Sequence, residues 1–435
     1  MNSLFTQNFK SMPYWHHEID VPKTATGTLP KQADICIIGG GFTGLSVAIH
    51  LLKAGKSVVI VDAMRLGEGA SGKNGGMIGP SLHKLGLEGL KNIHGEQKAY
   101  DILQEGINAI EYFPTFLKEF KIECDLNMSG RFNGVHNQKQ LDEIEKKCEV
   151  FSKLKNFKYQ MVAPDKVHSE IGSDHYYGGA VYELDGSIHP YKLLKGMVEN
   201  IHKLGGQIFE NTRADDIIKT TIGHNVYTDK GTLVAGEVVI ATNGYSKQFG
   251  NSKQSYFYKR VIPLTSAMIA TEEISPDLMQ RFFPKNRIHG GNHRLVQYYR
   301  PSPDFKRILF GARGADFKDR ADKNGQNLKK LMVKIFPEML DIKLDFSWSG
   351  KVAYTFDHGP HLGKHDGLYY AMGYCGSGVT RSVYLAKKLS MQILGEENFQ
   401  TEFHALEFQT KPFYNGKPWF MPFVIKWHSF MDGIE

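Results

Sequence analysis

The clearest pattern of hydrophobic and polar positions lies near the start of the chain, over residues 33–63. The run DICIIG is almost continuously apolar and ends at a glycine cluster, as expected for a strand covered on both faces of a parallel sheet. From Phe42 the apolar positions take helical spacing until Gly55 ends the predicted helix, and SVVIVDA follows as a second predicted strand. The segment therefore predicts a strand–helix–strand unit.

The rest of the chain alternates helical and strand patterns without an internal repeat. Residues 95–160 are rich in lysine and glutamate with helical periodicity, whereas residues 206–245 return to strand patterns. A block at 255–350 mixes β-rich segments with one predicted helix, and residues 367–394 repeat the order strand, glycine loop, helix. We therefore expect two interleaved domains, with the chain returning to the first domain near its end.

Composition narrows the class of protein. The 435 residues, 41% hydrophobic and 23% charged, are typical of a globular protein large enough for two domains. The 53 Lys and Arg against 46 Asp and Glu give a net charge of +7 without the basic block of a nucleic-acid binder. The four cysteines form no CxxC motif, which fits a reducing cytoplasm. We expect no export signal and no apolar run of the roughly 18 residues that suggest a membrane span.

The loop GGGFTG, between the first predicted strand and helix, has the chemistry of a pyrophosphate site. Gly39 permits a tight turn, Gly41 lets the backbone approach phosphates, and Gly44 lets the helix pack closely on the strand. Asp62 ends the second strand, where a carboxylate can accept hydrogen bonds from a ribose and would repel a 2′-phosphate. Glycine-rich turns are common, but this context favours an adenine dinucleotide, either NAD or FAD.

Two further glycine loops favour FAD. GEGASGKNGGM, at residues 67–77, would let the backbone approach a flat ring, although a flexible surface turn is the alternative interpretation. The third loop, Gly373 to Thr380, lies near the other end of the chain. A cofactor held from both ends of the chain is long and permanently bound, as FAD is.

Several stretches together resemble the FAD-dependent amine and amino-acid oxidoreductases of the glycine oxidase and sarcosine oxidase type, and within them the gamma-glutamylputrescine oxidase branch. The similar stretches are CIIGGGFTGLSVAIHLLKAG, GEGASGKNGG, GSIHPYKLLKG, VVIATNGYS, YYR at 298–300 and YYAMGYCGSGVT. They cover about residues 30–395 in the family's order. Where sarcosine oxidases attach the flavin through a cysteine, this chain has Val352. The resemblance therefore implies FAD held non-covalently.

The resemblance also implies a set of cofactor contacts, from the pyrophosphate loop to the edge of the flavin. The predicted cofactor-binding residues are Gly39, Gly41, Phe42, Thr43, Gly44, Asp62, Ala63, Ser71, Gly72, Asn74, Gly75, Gly76, Ala214, Gly373, Gly376, Ser377, Gly378, Val379 and Thr380. Sarcosine oxidases place a carboxylate-binding lysine where this chain has Thr380. A sarcosine-like carboxylate site is therefore disfavoured.

The substrate side is less specific. Tyr354, His358, Tyr298 and Arg300 are candidates for the pocket wall, and no catalytic residue is assigned. Candidate anion binders, each with a structural ion pair as the simpler interpretation, are Arg131, Arg294, Arg300 and Arg381. His358, His361 and His365 lie in a glycine-broken loop, so we predict no metal site there.

The expected fold class is α/β, with a Rossmann-like FAD-binding domain interleaved with an α+β substrate domain on a mixed or antiparallel sheet. The expected divisions are 1–32 as an irregular arm, 33–95 as the first FAD-binding part, 96–165 as a helical insertion and the start of the substrate domain, 166–255 as the second FAD-binding part, 256–350 as the substrate domain, 351–400 as the third FAD-binding part and 401–435 as an aromatic tail. We expect the tail to pack on the body or a second subunit; a membrane-surface anchor and a lid over the substrate entrance are the alternatives.

The expected reaction is FAD-dependent oxidation of an amine or amino acid by hydride transfer to the flavin, for example a gamma-glutamyl-polyamine-like secondary amine. The expected partners are that small molecule and either oxygen or an electron carrier, without nucleic acid. Two alternatives stay open: an N-demethylating or D-amino-acid enzyme of the same fold, and a flavin-containing subunit without turnover.

Overall fold

In a computed structural model, the structure describes residues 4–17, 19–22, 24, 27–248, 255–291, 296–313, 320–404, 406–421 and 423–424. The strands are β1 (Phe5–Lys10), β2 (Gln32–Ile38), β3 (Val58–Val61), β4 (Met77–Ile78), β5 (Arg131–Val135), β6 (Tyr159–Val162), β7 (Gly178–Tyr182), β8 (Gly186–Ser187), β9 (Gln207–Phe209), β10 (Ala214–Thr220), β11 (Gly223–Thr228), β12 (Gly231–Ile240), β13 (Ile262–Thr271), β14 (Ile288–Gly291), β15 (Gln297–Pro301), β16 (Ile308–Arg313), β17 (Leu344–Tyr354), β18 (His361–His365) and β19 (Leu368–Met372).

The helices are α1 (Phe42–Lys53), α2 (Ala70–Lys73), α3 (Gly86–His94), α4 (Glu96–Glu119), α5 (Gln138–Phe151), α6 (Pro190–Lys203), α7 (Ser255–Tyr258), α8 (Pro276–Phe282), α9 (Ala321–Ile335) and α10 (Gly378–Leu394). Among the described residues, no helix is long and apolar enough to cross a membrane.

The first large sheet has eight strands. Its main order is β10-β11-β12-β2-β3-β9, with β19 beside β12 and β18 beside β19. Strands β12, β2, β3 and β9 run parallel; α1 packs on β2 and β3, and α10 packs on α1 and β19. All four residues of β3 are buried, because each face of the strand packs into a hydrophobic core. The predicted strand–helix–strand unit is therefore β2-α1-β3.

The second large sheet has nine strands in the order β1-β17-β13-β16-β15-β14-β5-β7-β6. Its centre is antiparallel, whereas β1 pairs with β17, and β14 with β5, in parallel. Helix α9 packs on the strands at the β13–β17 end and closes a separate hydrophobic core. The two sheets, each with its own helices, confirm the expected α/β class with a mixed second sheet.

The N-terminal segment differs from the irregular arm that the sequence predicts. Phe5–Lys10 forms the edge strand β1, and Trp15 is fully buried against Met268 and Trp348 of the nine-stranded sheet. The turn-rich composition of the segment hides this because the strand is short and its partner, β17, lies far away in the chain.

One expected domain limit also differs from the sheet pairing. Strand β7 falls within 166–255, expected to be nucleotide-binding, yet it pairs with β5 and β6 in the nine-stranded sheet. Within 96–165, β5 lies between the predicted helices α4 and α5, and β6 follows α5; both strands join the same sheet, in line with a start of the substrate domain there. The lysine-rich helical pattern masked these strands because each has only four or five residues.

The C-terminal segment begins by packing on the body of the protein. Phe408 stacks on His361 with ring centroids 4.3 Å apart, and the Tyr414 hydroxyl donates to the Val261 carbonyl at 2.7 Å. Both aromatic side chains are buried. The aromatic positions Trp427 and Phe430 lie outside the described residues.

Candidate active site

A cavity of about 500 Å³ lies between the two large sheets. One wall comes from the loops that follow β2, β3 and β12 of the eight-stranded sheet, and the opposite wall from strands of the nine-stranded sheet. Ligands of open parallel sheets bind outside the carboxyl ends of the strands, where β2 and β3 meet this cavity. The cavity is therefore the candidate site.

The loop between β2 and α1 forms a cradle of backbone groups. Gly41 is the N-cap of α1, and it lines the cavity together with Phe42 and Thr43 at the positive end of the helix. Gly39 has a φ of +109°, which favours glycine, and a Cβ at Gly44 would overlap the Gly39 carbonyl oxygen. Such a cradle fits the pyrophosphate of a dinucleotide.

Asp62, at the end of β3, supports this cradle as well as lining the cavity. Its Oδ2 accepts the Gly40 N–H at 2.7 Å, and its Oδ1 accepts the Met64 N–H at 2.8 Å. Burial raises the pKa of Asp62, and these two donors oppose the rise. Each oxygen keeps acceptor capacity for a ribose hydroxyl.

The second glycine loop is tied to the first by side-chain hydrogen bonds. The Ser71 Oγ accepts the Phe42 N–H at 2.9 Å. Asn74 stiffens the turn that follows, since its Oδ1 accepts the Gly76 N–H at 2.8 Å and its Nδ2 donates to the Ser71 carbonyl at 2.8 Å. Ser71 and Asn74 thus fix the shape of a loop that could border a flat ring.

Two tryptophans hold the same loop from outside. Trp15 Nε1 donates to the Asn74 carbonyl at 2.7 Å, and Trp348 Nε1 donates to the Lys73 carbonyl at 2.9 Å. Sequence analysis missed both, because they come from β17 and from the segment after β1, far from the loop in the chain. Their only sequence signal is that they are large apolar residues with a single polar donor.

The third glycine loop closes the site next to the first. The Thr43 and Tyr374 hydroxyls lie 2.7 Å apart, joining α1 to this loop. The Gly373 N–H donates to Asn243 Oδ1 at 3.0 Å, a support that the sequence did not reveal. The three loops predicted to hold the cofactor therefore meet around one cavity.

Most of the predicted cofactor residues line that cavity, and the others shape its loops. Lining residues are Gly39, Gly41, Phe42, Thr43, Asp62, Ala63, Ser71, Asn74, Gly75, Ala214, Gly376, Ser377, Gly378, Val379 and Thr380. Residues that do not line it are Gly44, Gly72, Gly76 and Gly373. At each of these four positions a Cβ would overlap a neighbouring atom, so they permit close packing instead.

On the opposite wall, Tyr298 faces the cavity and Tyr299 faces the core. The Tyr298 hydroxyl lies 2.9 Å from Ser266 Oγ, and burial raises its pKa. Tyr299 is fully buried and its hydroxyl donates to that of Tyr176 at 2.9 Å. This alternation is the one that a strand imposes on successive side chains.

His358 lines the cavity, whereas Tyr354 lies behind it. The Tyr354 hydroxyl accepts a hydrogen bond from Arg313, which lines the cavity itself. Burial lowers the pKa of His358; the charge of Asp357 raises it and that of Lys84 lowers it. His361 is hydrogen-bonded to Asp357 at 3.0 Å, and His365 stacks on Tyr256. Both histidines therefore make structural contacts within the protein.

Arg300 does not line the cavity, although it was a pocket candidate. Its side chain lies on the same face of β15 as that of Tyr298. Its Nη1, however, donates to the Gly76 carbonyl at 3.2 Å and to the Ile188 carbonyl at 2.8 Å, and these contacts keep it out of the cavity. Burial lowers its pKa to about 10. Arg300 thus joins the second glycine loop (the flavin loop, residues 67–77) to the nine-stranded sheet.

The remaining candidate anion binders, Arg131, Arg381 and Arg294, differ in whether their guanidinium groups face the cavity and are already paired. Arg131 lines the cavity but is paired with Asp185 at 2.7 Å. Arg381 also lines it and donates to the Ser81 carbonyl at 2.8 Å. Arg294 lies outside the described residues.

A dinucleotide cradle on a parallel sheet, sharing one cavity with a second mixed sheet, defines a protein of the dinucleotide-binding class. The chain belongs to the family of FAD dependent oxidoreductases, whose family model matches residues 34–391. FAD is thus its cofactor, and the chain is an FAD-dependent oxidoreductase. These findings confirm the predicted family, fold and cofactor.

Individual relatives agree with this membership. The chain is 32% identical over 367 residues to gamma-glutamylputrescine oxidoreductase of Escherichia coli, covering 83% of each chain. It is 30% identical over 381 residues to probable oxidoreductase OrdL of Haemophilus influenzae, covering 87% of this chain and 86% of that one. Among solved structures, glycine oxidase from Geobacillus kaustophilus matches with a TM-score of 0.73 at 20% identity, covering 88% of this chain and 99% of that one.

Proposed function

We propose that the protein oxidises the carbon–nitrogen bond of an acylated polyamine resembling gamma-glutamylputrescine. The observation that carries the proposal is that the glycine cradle and the wall bearing Tyr298, His358 and Arg313 share one cavity. The 32% identity to gamma-glutamylputrescine oxidoreductase supports this substrate class. Thr380, in place of a carboxylate-binding lysine, favours it over a sarcosine-like substrate.

In the proposed site, FAD would be held by the backbone of Gly39 to Thr43, by Asp62 and by the loops at 71–75 and 376–380. Bound FAD supplies the acceptor for a hydride from the carbon next to the amine nitrogen. The protein contributes position and environment. Enclosure and the positive lining of the cavity disfavour an ammonium ion, so they favour the neutral amine that can react.

His358 is suited to take the proton that the substrate ammonium loses. Because burial lowers its pKa below the ordinary value, its imidazole is neutral at pH 7 and can accept a proton. Tyr298, held by Ser266, and Arg313, held by Tyr354, would orient the substrate chain against the flavin loop.

The first prediction concerns turnover. We expect the bound flavin to be bleached under anaerobic conditions by gamma-glutamylputrescine faster than by putrescine, glycine, sarcosine or D-alanine, because the cavity extends beyond the reacting end. Stopped-flow absorbance measures this, and hydrogen peroxide formed in air distinguishes an oxidase from a dehydrogenase. Dithionite serves as a control for a reducible flavin. If dithionite bleaches the flavin and no amine does, a flavin-containing subunit without turnover is the better account.

The second prediction concerns attachment of the cofactor. Val352 lines the cavity where related enzymes carry a cysteine, and its side chain offers no nucleophile. The four cysteines are all buried, and burial raises the pKa of Cys375, the one that lines the cavity. We therefore expect acid precipitation to release all flavin into the supernatant. Yellow colour that stays with the washed pellet would contradict non-covalent binding.

A further inference from the structure

The cavity wall carries more positive charge than the two phosphates of the cofactor would neutralise. Nine lysine and arginine side chains line the cavity, against two carboxylates, Asp62 and Asp185. Arg65 and Arg213 lie with Asp62 and Ala214, at the dinucleotide end, where two phosphate charges belong. The remaining positive charge includes Lys84, Arg131, Lys147 and Arg313, on or beside the nine-stranded sheet. The substrate side therefore has its own excess of positive charge.

Lys84 and Lys147 are among the cavity cations that have no counter-ion in the described chain. Within the part of the chain that the structure describes, neither Lys84 nor Lys147 makes a side-chain hydrogen bond or an ion pair. Lys147 Nζ lies 5.7 Å from the centre of the Phe151 ring. The nearby carboxylate of Asp185 is already bound to Arg131 at 2.7 Å. Two lysines that face a cavity without an anion are suited to bind one from a ligand.

The surroundings of Lys84 point the same way. Its side chain is exposed and borders the cavity. Desolvation there lowers its pKa to about 7, and the positive charges of Arg313, Arg131 and Lys147 contribute to the lowering. A bound carboxylate would offset this repulsion and stabilise the protonated amine.

The order of the strands gives the distance between Tyr298, which lies beside the flavin loop, and Arg131. Tyr298, on β15, approaches that loop closely, because a Cβ at Gly75 would lie 3.0 Å from its ring. Arg131, on β5, is two strands further along the sheet, through β14. Two inter-strand spacings amount to about 10 Å, which is nearly three residues of extended chain. Beyond Arg131, Tyr182 on β7 gives the wall aromatic surface together with Phe151 and Phe157.

We propose that Lys84 and Lys147 form a distal carboxylate site, which binds an anionic group of the substrate away from the carbon–nitrogen bond that is oxidised. The proposal rests on the proposed function and assigns it a substrate class: polyamines whose acyl group ends in a carboxylate. A gamma-glutamyl group carries such a carboxylate, and unmodified putrescine does not.

The test uses a matched pair of substrates with the flavin-loaded enzyme. N-Glutarylputrescine has a terminal carboxylate, and its terminal carboxamide has the same shape without the charge. We expect wild type to prefer the carboxylate at least about tenfold in kcat/KM, as a charged hydrogen bond implies. Lys84→Met and Lys147→Met should lose most of that preference, and Lys147→Met should keep the carboxamide rate within about threefold.

Two control variants separate binding from folding. Lys146→Met removes an exposed lysine next to Lys147 that does not line the cavity, and should behave as wild type. Lys84→Arg keeps the charge and should retain the preference for the carboxylate. Equal losses for both substrates in Lys84→Met and Lys147→Met, or no preference in wild type, would overturn the carboxylate site while leaving amine oxidation intact.

A binding measurement decides the case in which neither substrate is oxidised. N-Butylglutaramate has the carboxylate but no amine, so calorimetry follows its binding independently of turnover. At least about tenfold weaker binding to Lys84→Met and Lys147→Met than to Lys146→Met would support the site even if the proposed reaction fails. Absent binding to wild type, or equal binding to all variants, would overturn it.

Discussion

Gly44→Ala is expected to yield protein that has lost its flavin. A Cβ at this position would overlap the Gly39 carbonyl oxygen and approach Ile37 Cγ2 at 3.1 Å. Since both neighbours belong to the strand and turn, the helix must move away from the sheet to admit the methyl group. That movement displaces the N-terminus of α1, with Gly41 and Thr43, from the cradle. The ratio of flavin to protein after gel filtration measures the effect.

Gly55→Ala provides the matched control for this substitution. Gly55 ends the same helix region with a φ of +81°, and a Cβ there would meet nothing within 4 Å. Its substitution should cost about 1–2 kcal/mol in backbone strain and leave the flavin content unchanged. A Gly44→Ala variant that keeps as much flavin as Gly55→Ala would show that the cradle does not depend on close helix–strand packing.

Trp15→Ala is expected to lower the free energy of unfolding by about 3–5 kcal/mol, the usual cost of removing a fully buried tryptophan. The indole fills a cluster with Met268 and Trp348, and its Nε1 satisfies the Asn74 carbonyl at 2.7 Å. Its loss leaves a cavity and an unpaired carbonyl beneath the flavin loop. Urea denaturation, followed by circular dichroism on the flavin-free protein, measures this stability without a contribution from cofactor binding.

Trp419→Ala is the comparison for this measurement. Trp419 is 64% exposed, so its removal should change the free energy of unfolding by no more than about 0.5 kcal/mol. Similar unfolding midpoints for Trp15→Ala and Trp419→Ala would refute the role assigned to the N-terminal segment.

The cradle could be predicted from sequence because its determinants are local. The apolar run of β2, the glycines and the helical spacing of α1 follow one another in the chain, and each restricts the backbone directly. Asp62 was found for the same reason, by its fixed place after the next strand. Its hydrogen bond from Gly40 was not predicted, since spacing indicates position and does not specify which atoms pair.

The far wall could be predicted only in part because its contacts join distant segments. Strand alternation correctly separates Tyr298 from Tyr299, but the same rule places Arg300 on the cavity face, where two loop carbonyls enclose it. Trp348 and the Lys73 carbonyl that it binds are 275 residues apart. Lys84 and Lys147 have no motif, and only the folded chain places both on one cavity.

The hydrogen bond between Thr43 and Tyr374 has a consequence for biosynthesis. It joins residues 331 positions apart, so the first loop of the site is made long before its partner leaves the ribosome. The first strand–helix–strand unit can form early in translation, but the third glycine loop and α10 arrive only near the end. Stable loading of FAD is therefore a late event, which follows synthesis of nearly the whole chain.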